Sequence, residues 1–229
     1  MSEYRVLKSE SIMKNFIKSA ALFLSGALLA GAIFLFTDFG RKKEIDTDAP
    51  LTVMAADSIE TPSSSKDLVE DAYTIVMAIR DRNYSDLAGW VDPEFGVLFT
   101  PYSTVEPDVN LHFSVEAVKK FESCGDTYVW GTVDGEGSPI SMTPSEYFNR
   151  YVYDADFAQA PMVGINTVVR SGNSLENVKD VFPDSEFVEF HFPGSDEYGG
   201  IDWKSLKLVF SKTERGRKLI AIIHSEWTV

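Results

Sequence analysis

The run Leu219-Ile-Ala-Ile-Ile-His-Ser-Glu-Trp-Thr-Val229 closes the sequence and decides its fold class. Alternate positions form two faces: 219, 221, 223, 227 and 229 are apolar, whereas the other face becomes polar from His224 onward. Two further β-rich runs, 186–192 and 205–211, precede it, and Thr213-Glu-Arg-Gly216 forms a tight connection into the last run. Three such runs predict a long antiparallel sheet with one face packed on helices and one end partly open.

Helical signals lie mainly before this sheet. Apolar residues recur at spacings of three and four from 68 to 79, which predicts an amphipathic helix ending near 83, and a short helix follows over 84–91. Thr143 and Pro144 are placed as N-cap and first helical residue, with Glu146 completing a capping box, so a helix is predicted from there to about 153. The remaining predictions are an extended segment over 96–102, helices over 114–122 and 173–181, and a hairpin over 128–140 with its turn at Asp134-Gly135.

Helices first and a long antiparallel sheet last is the order of an α+β domain, which we place over 67–229. The predicted architecture is a curved antiparallel sheet wrapped around helices as a cone. This is the arrangement of the nuclear-transport-factor-2-like (NTF2-like) fold.

The N-terminal part of the sequence contains a predicted membrane segment. No charged residue occurs over 20–36, and a helix of that length at about 1.5 Å per residue spans about 25 Å, the short end of a bilayer crossing. We predict a basic segment over 1–18, a transmembrane anchor over 19–39 and a flexible acidic stalk over 40–66. Ala30-Gly31-Ala32 resembles a signal-peptide cleavage site, so secretion after cleavage is the alternative to a single-pass anchor. In both cases the C-terminal domain is expected outside the cytoplasm.

Charge is unevenly distributed. Residues 1–43 hold seven of the 21 Lys/Arg and three of the 35 Asp/Glu, so the rest of the sequence holds 14 basic and 32 acidic residues. A domain this acidic is repelled by phosphate backbones, which excludes nucleic acid as an expected partner. The single Cys124 cannot form an intrachain disulfide.

An ordered series of short motifs resembles a family of uncharacterised, exported or membrane-anchored bacterial proteins, mostly from Firmicutes. The motifs include Gly96-Val-Leu-Phe-Thr-Pro-Tyr102, Trp130-Gly131, Gly172-Asn-Ser174, Phe192-Pro-Gly194, Asp202-Trp-Lys-Ser-Leu206 and Ile223-His-Ser-Glu-Trp-Thr-Val229. The resemblance covers roughly 66–229 and implies an extracytoplasmic domain. The family has no established activity, so the resemblance assigns no catalytic residue.

The most site-like polar residues lie in the C-terminal strands. His191, Asp202, His224 and Glu226 would converge if the faces that carry the two histidines coincide, and such a set could do acid–base work or bind a divalent metal. The alternative is a polar sheet end that simply meets water. Patterns for a nucleophile elbow, a phosphate-binding loop and zinc are absent from the sequence, so no catalytic residue, metal or cofactor is assigned.

Aromatic side chains are a second candidate feature. Trp130, Trp203 and Tyr102 could line a pocket for a sugar or another ligand with an apolar face, although aromatic residues at this density more commonly fill a core.

Three functional hypotheses follow. The first is a non-enzymatic envelope module that binds a small ligand or an envelope protein, with its only membrane contact through the N-terminal helix. The second is a small cone-fold hydrolase or isomerase that uses a histidine–carboxylate pair. The third is a structural component of an envelope complex.

Overall fold

The computed structural model of the chain describes residues 65–214 and 216–228. The predicted basic segment, anchor and almost all of the stalk lie outside these residues, as do Arg215 and Val229. Over the part that is described, no helix is both long enough and apolar enough to cross a membrane.

Helices and strands form a mixed α+β domain, which confirms the predicted fold class. The helices are α1 (Ser65–Arg80), α2 (Tyr84–Trp90), α3 (Val115–Val118), α4 (Pro144–Tyr147) and α5 (Val178–Val181), with a π-helix at Phe148–Val152 and 3-10 turns at Phe121–Ser123, Phe157–Gln159 and Asp196–Tyr198. The strands are β1 (Val97–Thr100), β2 (Leu111–Phe113), β3 (Tyr128–Thr132), β4 (Pro139–Met142), β5 (Met162–Ile165), β6 (Glu186–Phe192), β7 (Lys204–Thr213) and β8 (Gly216–Glu226).

Six strands build a curved, open sheet in the order β2-β1-β8-β7-β6-β5, and β3 and β4 form a separate hairpin. The sheet is not antiparallel throughout, because β1 runs parallel to β8, with Leu98 opposite Ala221. The last strand of the chain is therefore a central strand. Its neighbours cover both edges, and both of its faces are buried.

A register irregularity in β8 corrects the predicted faces of this strand. Phe210 pairs with Leu219 and Val209 pairs with Ala221, so one extra residue is accommodated between them. Such a bulge shifts the alternation of side chains by one position. Leu219 consequently packs with the helices in the larger core, whereas Ala221 and Ile223 pack in a second core on the opposite face.

The predicted helix start at Thr143 is confirmed, because the hydrogen bonds that form it join residues close in the sequence. Thr143 and Glu146 form the predicted capping box, with the Glu146 carboxylate accepting from Thr143 N at 2.8 Å. The helix then continues as a π-helix after Tyr147. The helix predicted over 173–181 is confined to Val178–Val181, because the segment before it bonds elsewhere: the Asn177 side chain binds the backbone of Val105.

Aromatic rings fill the space between sheet and helices. The ring of Phe99 lies 5.7–6.1 Å, centroid to centroid, from five others. These belong to Phe113, Phe121, Trp130, Tyr147 and Phe148, all fully buried. Trp130 and Tyr147 stack face to face at 3.8 Å. Trp130 therefore belongs to the core.

Candidate functional site

The structure places the two candidate histidines on opposite faces of the sheet. His224 pairs with Leu206 on the face that packs on the helices, and Glu226 follows on the same face. His191 pairs with Ser205 and points to the other face. The two histidines would converge only if their faces coincided, and they do not, because the register of β6 and β8 on β7 offsets them by one position.

Each histidine instead belongs to a polar cluster of its own. The helix-side cluster consists of Arg150, Asp154, Lys204, His224 and Glu226. The outer cluster consists of Glu176, Glu189, His191, Ser205, Lys207 and Ser225.

Asp154 is the centre of the helix-side cluster. Lys204 Nζ lies 2.6 Å and His224 Nε2 lies 3.4 Å from the same oxygen, Asp154 Oδ2. Burial favours the neutral form of the Asp154 carboxyl, but the neighbouring His224 ring and the Lys204 ammonium outweigh it, so the pKa of Asp154 is lowered. The carboxylate is therefore kept ionised inside the fold.

Arg150 closes the solvent side of this cluster. Its guanidinium donates two hydrogen bonds to the Glu226 carboxylate, from Nη2 to Oε1 at 2.6 Å and from Nη1 to Oε2 at 3.2 Å. Its guanidinium also lies 4.4 Å from the centre of the Tyr151 ring, a cation–π contact. Arg150 lies within the π-helix, and Asp154 lies two residues beyond its last residue, Val152. The wider turn of the π-helix brings Arg150 and Asp154 against the end of β8.

His224 has a hydrogen-bond partner at one ring nitrogen, and the other ring nitrogen faces a buried carboxylate without a hydrogen bond. Its Nδ1 lies 3.0 Å from the carbonyl oxygen of Pro101, which can only accept, so Nδ1 carries the hydrogen. Its Nε2 faces Asp154, Tyr151 covers the ring edge-on at 5.7 Å, and no part of the side chain is exposed. An acid or base must present a nitrogen to its substrate. In this conformation His224 has none to offer.

The same residues meet the distance requirement for a metal site. One ligand atom from each of Asp154, His224 and Glu226 lies within 4.8 Å of the others. Both carboxylates are already bound by cations, however, since Lys204 holds the first and Arg150 holds the second. A divalent ion would have to displace both, so the geometry favours an internal ion-pair network.

The outer cluster is more deeply buried. Lys207 and Glu189 are fully buried, and Lys207 Nζ lies 2.6 Å from Glu176, 3.1 Å from Ser225 Oγ and 3.8 Å from Glu189. Glu176 comes from the irregular segment 166–177, which also donates Val169 N to Glu189 at 3.0 Å. Burial raises the pKa of Glu189 in spite of the Lys207 charge. One lysine thus faces two carboxylates.

His191 is held neutral in this cluster. Its Nδ1 lies 2.7 Å from Ser205 Oγ, and burial, with the nearby charges of Arg170 and Lys207, lowers its pKa to about 4. Its ring lies against Trp203, which is itself fully buried beneath Arg170.

The other sequence-predicted residues have separate places. Asp202 accepts hydrogen bonds from the backbone and side chain of Ser195 at 2.8 and 2.9 Å and so fixes the loop before β7. Tyr102 is half-buried with its ring 6.0 Å from Tyr151, which connects it to the helix-side cluster. Neither lies with His191 in one site.

Sequence reasoning missed the residues that hold the two clusters together. The sequence analysis assigns no role to Asp154, Lys204 or Lys207. For the two lysines a signal existed, because they lie three positions apart in one β-rich run, which points them to opposite faces of the sheet. No local signal could find Asp154, since its position depends on the π-helix.

Comparisons with known proteins place the chain in no family. Neither a family model nor a curated protein matches it. Among solved structures, a candidate calcium/calmodulin-dependent protein kinase II association domain from Xanthomonas campestris is 13% identical over 75% of this chain and 92% of its own, with a TM-score of 0.30. A domain of unknown function with a cystatin-like fold from Nostoc punctiforme is 10% identical over 73% and 80%, with a TM-score of 0.33.

A third solved structure is a candidate dehydratase of the NTF2-like family from Streptomyces avermitilis. It is 14% identical over 74% of this chain and all of its own, with a TM-score of 0.27. At these identities and scores, the function of none of the three transfers to this chain.

Proposed function

We propose that the chain is a membrane-anchored binding module that acts outside the bacterial cytoplasm, with an NTF2-like cone as its domain and no catalysis of its own. The observation that carries the proposal is the engagement of both histidines. His224 is fully buried, with Nδ1 bound to Pro101 and Nε2 turned toward the buried Asp154, and His191 is bound to Ser205 with its pKa lowered to about 4. Neither is positioned to exchange a proton with a substrate.

The interior of the domain supports surface binding. A pocket between sheet and helices would occupy the space around Phe99, and the five rings packed against Phe99 take up that space. Interiors packed this tightly do not admit a ligand without rearrangement. A partner or ligand of this module is therefore expected to bind on its outer surface.

The proposed location outside the cytoplasm is supported by the sequence. The uncharged stretch over 20–36 supports an anchor, and the acidic composition after residue 43 suits a domain that stays soluble near a membrane surface without adhering to anionic lipid.

Protease accessibility tests the compartment. Full-length chain with a C-terminal epitope is produced in a bacterial host, and protease is added to intact protoplasts. We expect the epitope to be lost while a cytoplasmic control protein stays whole. Protection of the epitope until the protoplasts are lysed would refute the placement.

A second measurement tests binding against catalysis. Detergent-solubilised full-length chain is sedimented with purified cell walls, and the supernatant is assayed for released wall fragments. We expect the chain to sediment without releasing fragments, and His224→Gln to sediment equally well. Release of fragments that His224→Gln abolishes would overturn the non-enzymatic assignment.

One arrangement favours the enzymatic alternative. Asp154 and His224 are aligned as an acid–base pair, and Lys204, about one third exposed, separates Asp154 from solvent. Movement of Lys204 would open the carboxylate to a substrate. In that case Lys204→Ala would release wall fragments faster than the unaltered chain. A binding module would release no fragments with either chain.

A further inference from the structure

The far end of the sheet from the histidine clusters carries an open groove. It has a volume of about 610 Å³ and lies between α1, α2 and the start of β8. This volume falls within the range of about 300–1,000 Å³ typical of small-molecule sites. Its lining includes Thr74, Ser85, Asp86, Trp90, Arg217 and Lys218.

We infer that this groove binds an uncharged, hydroxyl-rich ring, which in chemical class is a saccharide unit. The inference rests on the proposed binding function and assigns it a site and a ligand class.

The walls of the groove are held in place before any ligand arrives. Arg217, whose side chain is almost fully buried, binds Asp71 at 3.1 Å and Glu186 at 2.8 Å. Lys218 Nζ donates to the carbonyl oxygen of Gly89 at 2.8 Å, which ties the start of β8 to α2. Because these groups are already ordered, a ligand does not have to order them on binding.

Charge in the groove is balanced. Its lining contains two carboxylates, Asp71 and Asp86, and two cations, Arg217 and Lys218. The rest of the domain is strongly acidic, so this lining is a neutral area on an anionic surface. An anionic ligand would meet repulsion from the domain as a whole, and a cationic ligand would meet Arg217 and Lys218 in the lining, with Asp71 already paired to Arg217.

The remaining groups suit a sugar ring. Trp90 is half-buried and brings an apolar indole with one N–H donor into a groove whose other groups are polar. The exposed Ser85 hydroxyl can both donate and accept. The Thr74 hydroxyl, which donates to the carbonyl oxygen of Glu70 at 2.9 Å, can still accept, and Asp86 adds an acceptor oxygen beside the one bound to Asn83. A saccharide presents the complementary surface, an apolar C–H face bordered by hydroxyls that need both donors and acceptors.

The test uses full-length chain in detergent micelles and three neutral probes: maltotetraose, cellotetraose and chitotetraose. Binding is measured by calorimetry and by the change in tryptophan fluorescence. We expect at least one probe to bind, and Trp90→Ala to weaken its affinity at least tenfold. Trp90→Phe, which keeps an aromatic face, should weaken it less than Trp90→Ala.

Trp227→Ala is the matched control, because Trp227 is also partly exposed but does not line the groove. It should leave the affinity unchanged. Circular dichroism and thermal melting of each variant show whether the fold is kept.

The inference is overturned if none of the three probes binds at 10 mM, or if Trp90→Ala binds as tightly as the unaltered chain. That failure is distinct from failure of the proposed function, which is judged by protease protection in protoplasts and by wall sedimentation. If the chain sediments with cell walls but binds none of the three probes, the proposed binding function stands and the saccharide site is refuted.

Discussion

The helix-side cluster and the outer cluster use similar residue types on opposite faces of one sheet, yet they differ in access to solvent. In the helix-side cluster the cations form the border, with Arg150 43% and Lys204 33% exposed. In the outer cluster Lys207 and Glu189 are both fully buried beneath the segment 166–177. Solvent can therefore screen the first cluster but not the second, and equal substitutions should have unequal costs.

The two clusters also respond to pH with opposite signs. Asp154 has a folded-state pKa below its ordinary 3.8, so its contribution to stability is present above that value and is lost as pH falls through the lowered pKa. Glu189 has a folded-state pKa above its ordinary 4.5, so its contribution is present below that value and is lost as pH rises through the raised pKa. One carboxylate stabilises the fold toward neutral pH and the other toward acid.

The largest effect is expected for Lys207→Met. Removal of this cation leaves Glu176 and Glu189 facing each other in the interior, and breaking one side of a buried pair costs about 3–5 kcal/mol. Urea denaturation followed by tryptophan fluorescence measures the loss. The matched control is Lys212→Met on the same strand, since Lys212 is 54% exposed and pairs with Glu186 at 3.3 Å; it should cost below about 1 kcal/mol. Equal costs for the two variants would show that burial does not set the cost of removing a lysine from this strand.

An intermediate effect is expected for Asp154→Asn. At pH 7 the variant should lose about 1–3 kcal/mol, because Lys204 and His224 lose their charged partner in a mostly buried place. The difference from the unaltered chain should shrink as the pH falls through the lowered pKa of Asp154, because Asp154 itself then becomes protonated. Glu189→Gln should behave oppositely and lose least at neutral pH. Exposed Asp184→Asn is the control, and a pH-independent cost of Asp154→Asn would contradict the assigned sign.

The smallest effect is expected for Arg150→Lys. The charge remains, but the two-pronged contact with Glu226 is lost at a site that solvent partly screens, so the cost should stay below about 1 kcal/mol. A double-mutant cycle with Glu226→Gln isolates the pair. A coupling energy as large as that between Lys207 and Glu189 would show that exposure does not separate the clusters.

Features within one strand or one helix start were predictable, whereas features that depend on register were not. Glu189 and His191 share a face as alternation requires, and so do His224 and Glu226. Which face of β6 matches which face of β8 depends on how both pair with β7, and no local pattern encodes that offset. The capping box at Thr143 was likewise readable, but the π-helix that delivers Asp154 to His224 was not.

The position of the last strand has a consequence for how the chain is made. β8 joins β1, about 120 residues earlier in the sequence, to β7, so the two halves of the sheet are not connected until β8 has been synthesised. Contacts of this sequence separation form slowly. A chain that stalls before residue 219 would expose β7 and β1 as unpaired strand edges, which are the features that promote aggregation. Termination of synthesis before β8 should therefore yield a product that is degraded and not a shortened folded domain.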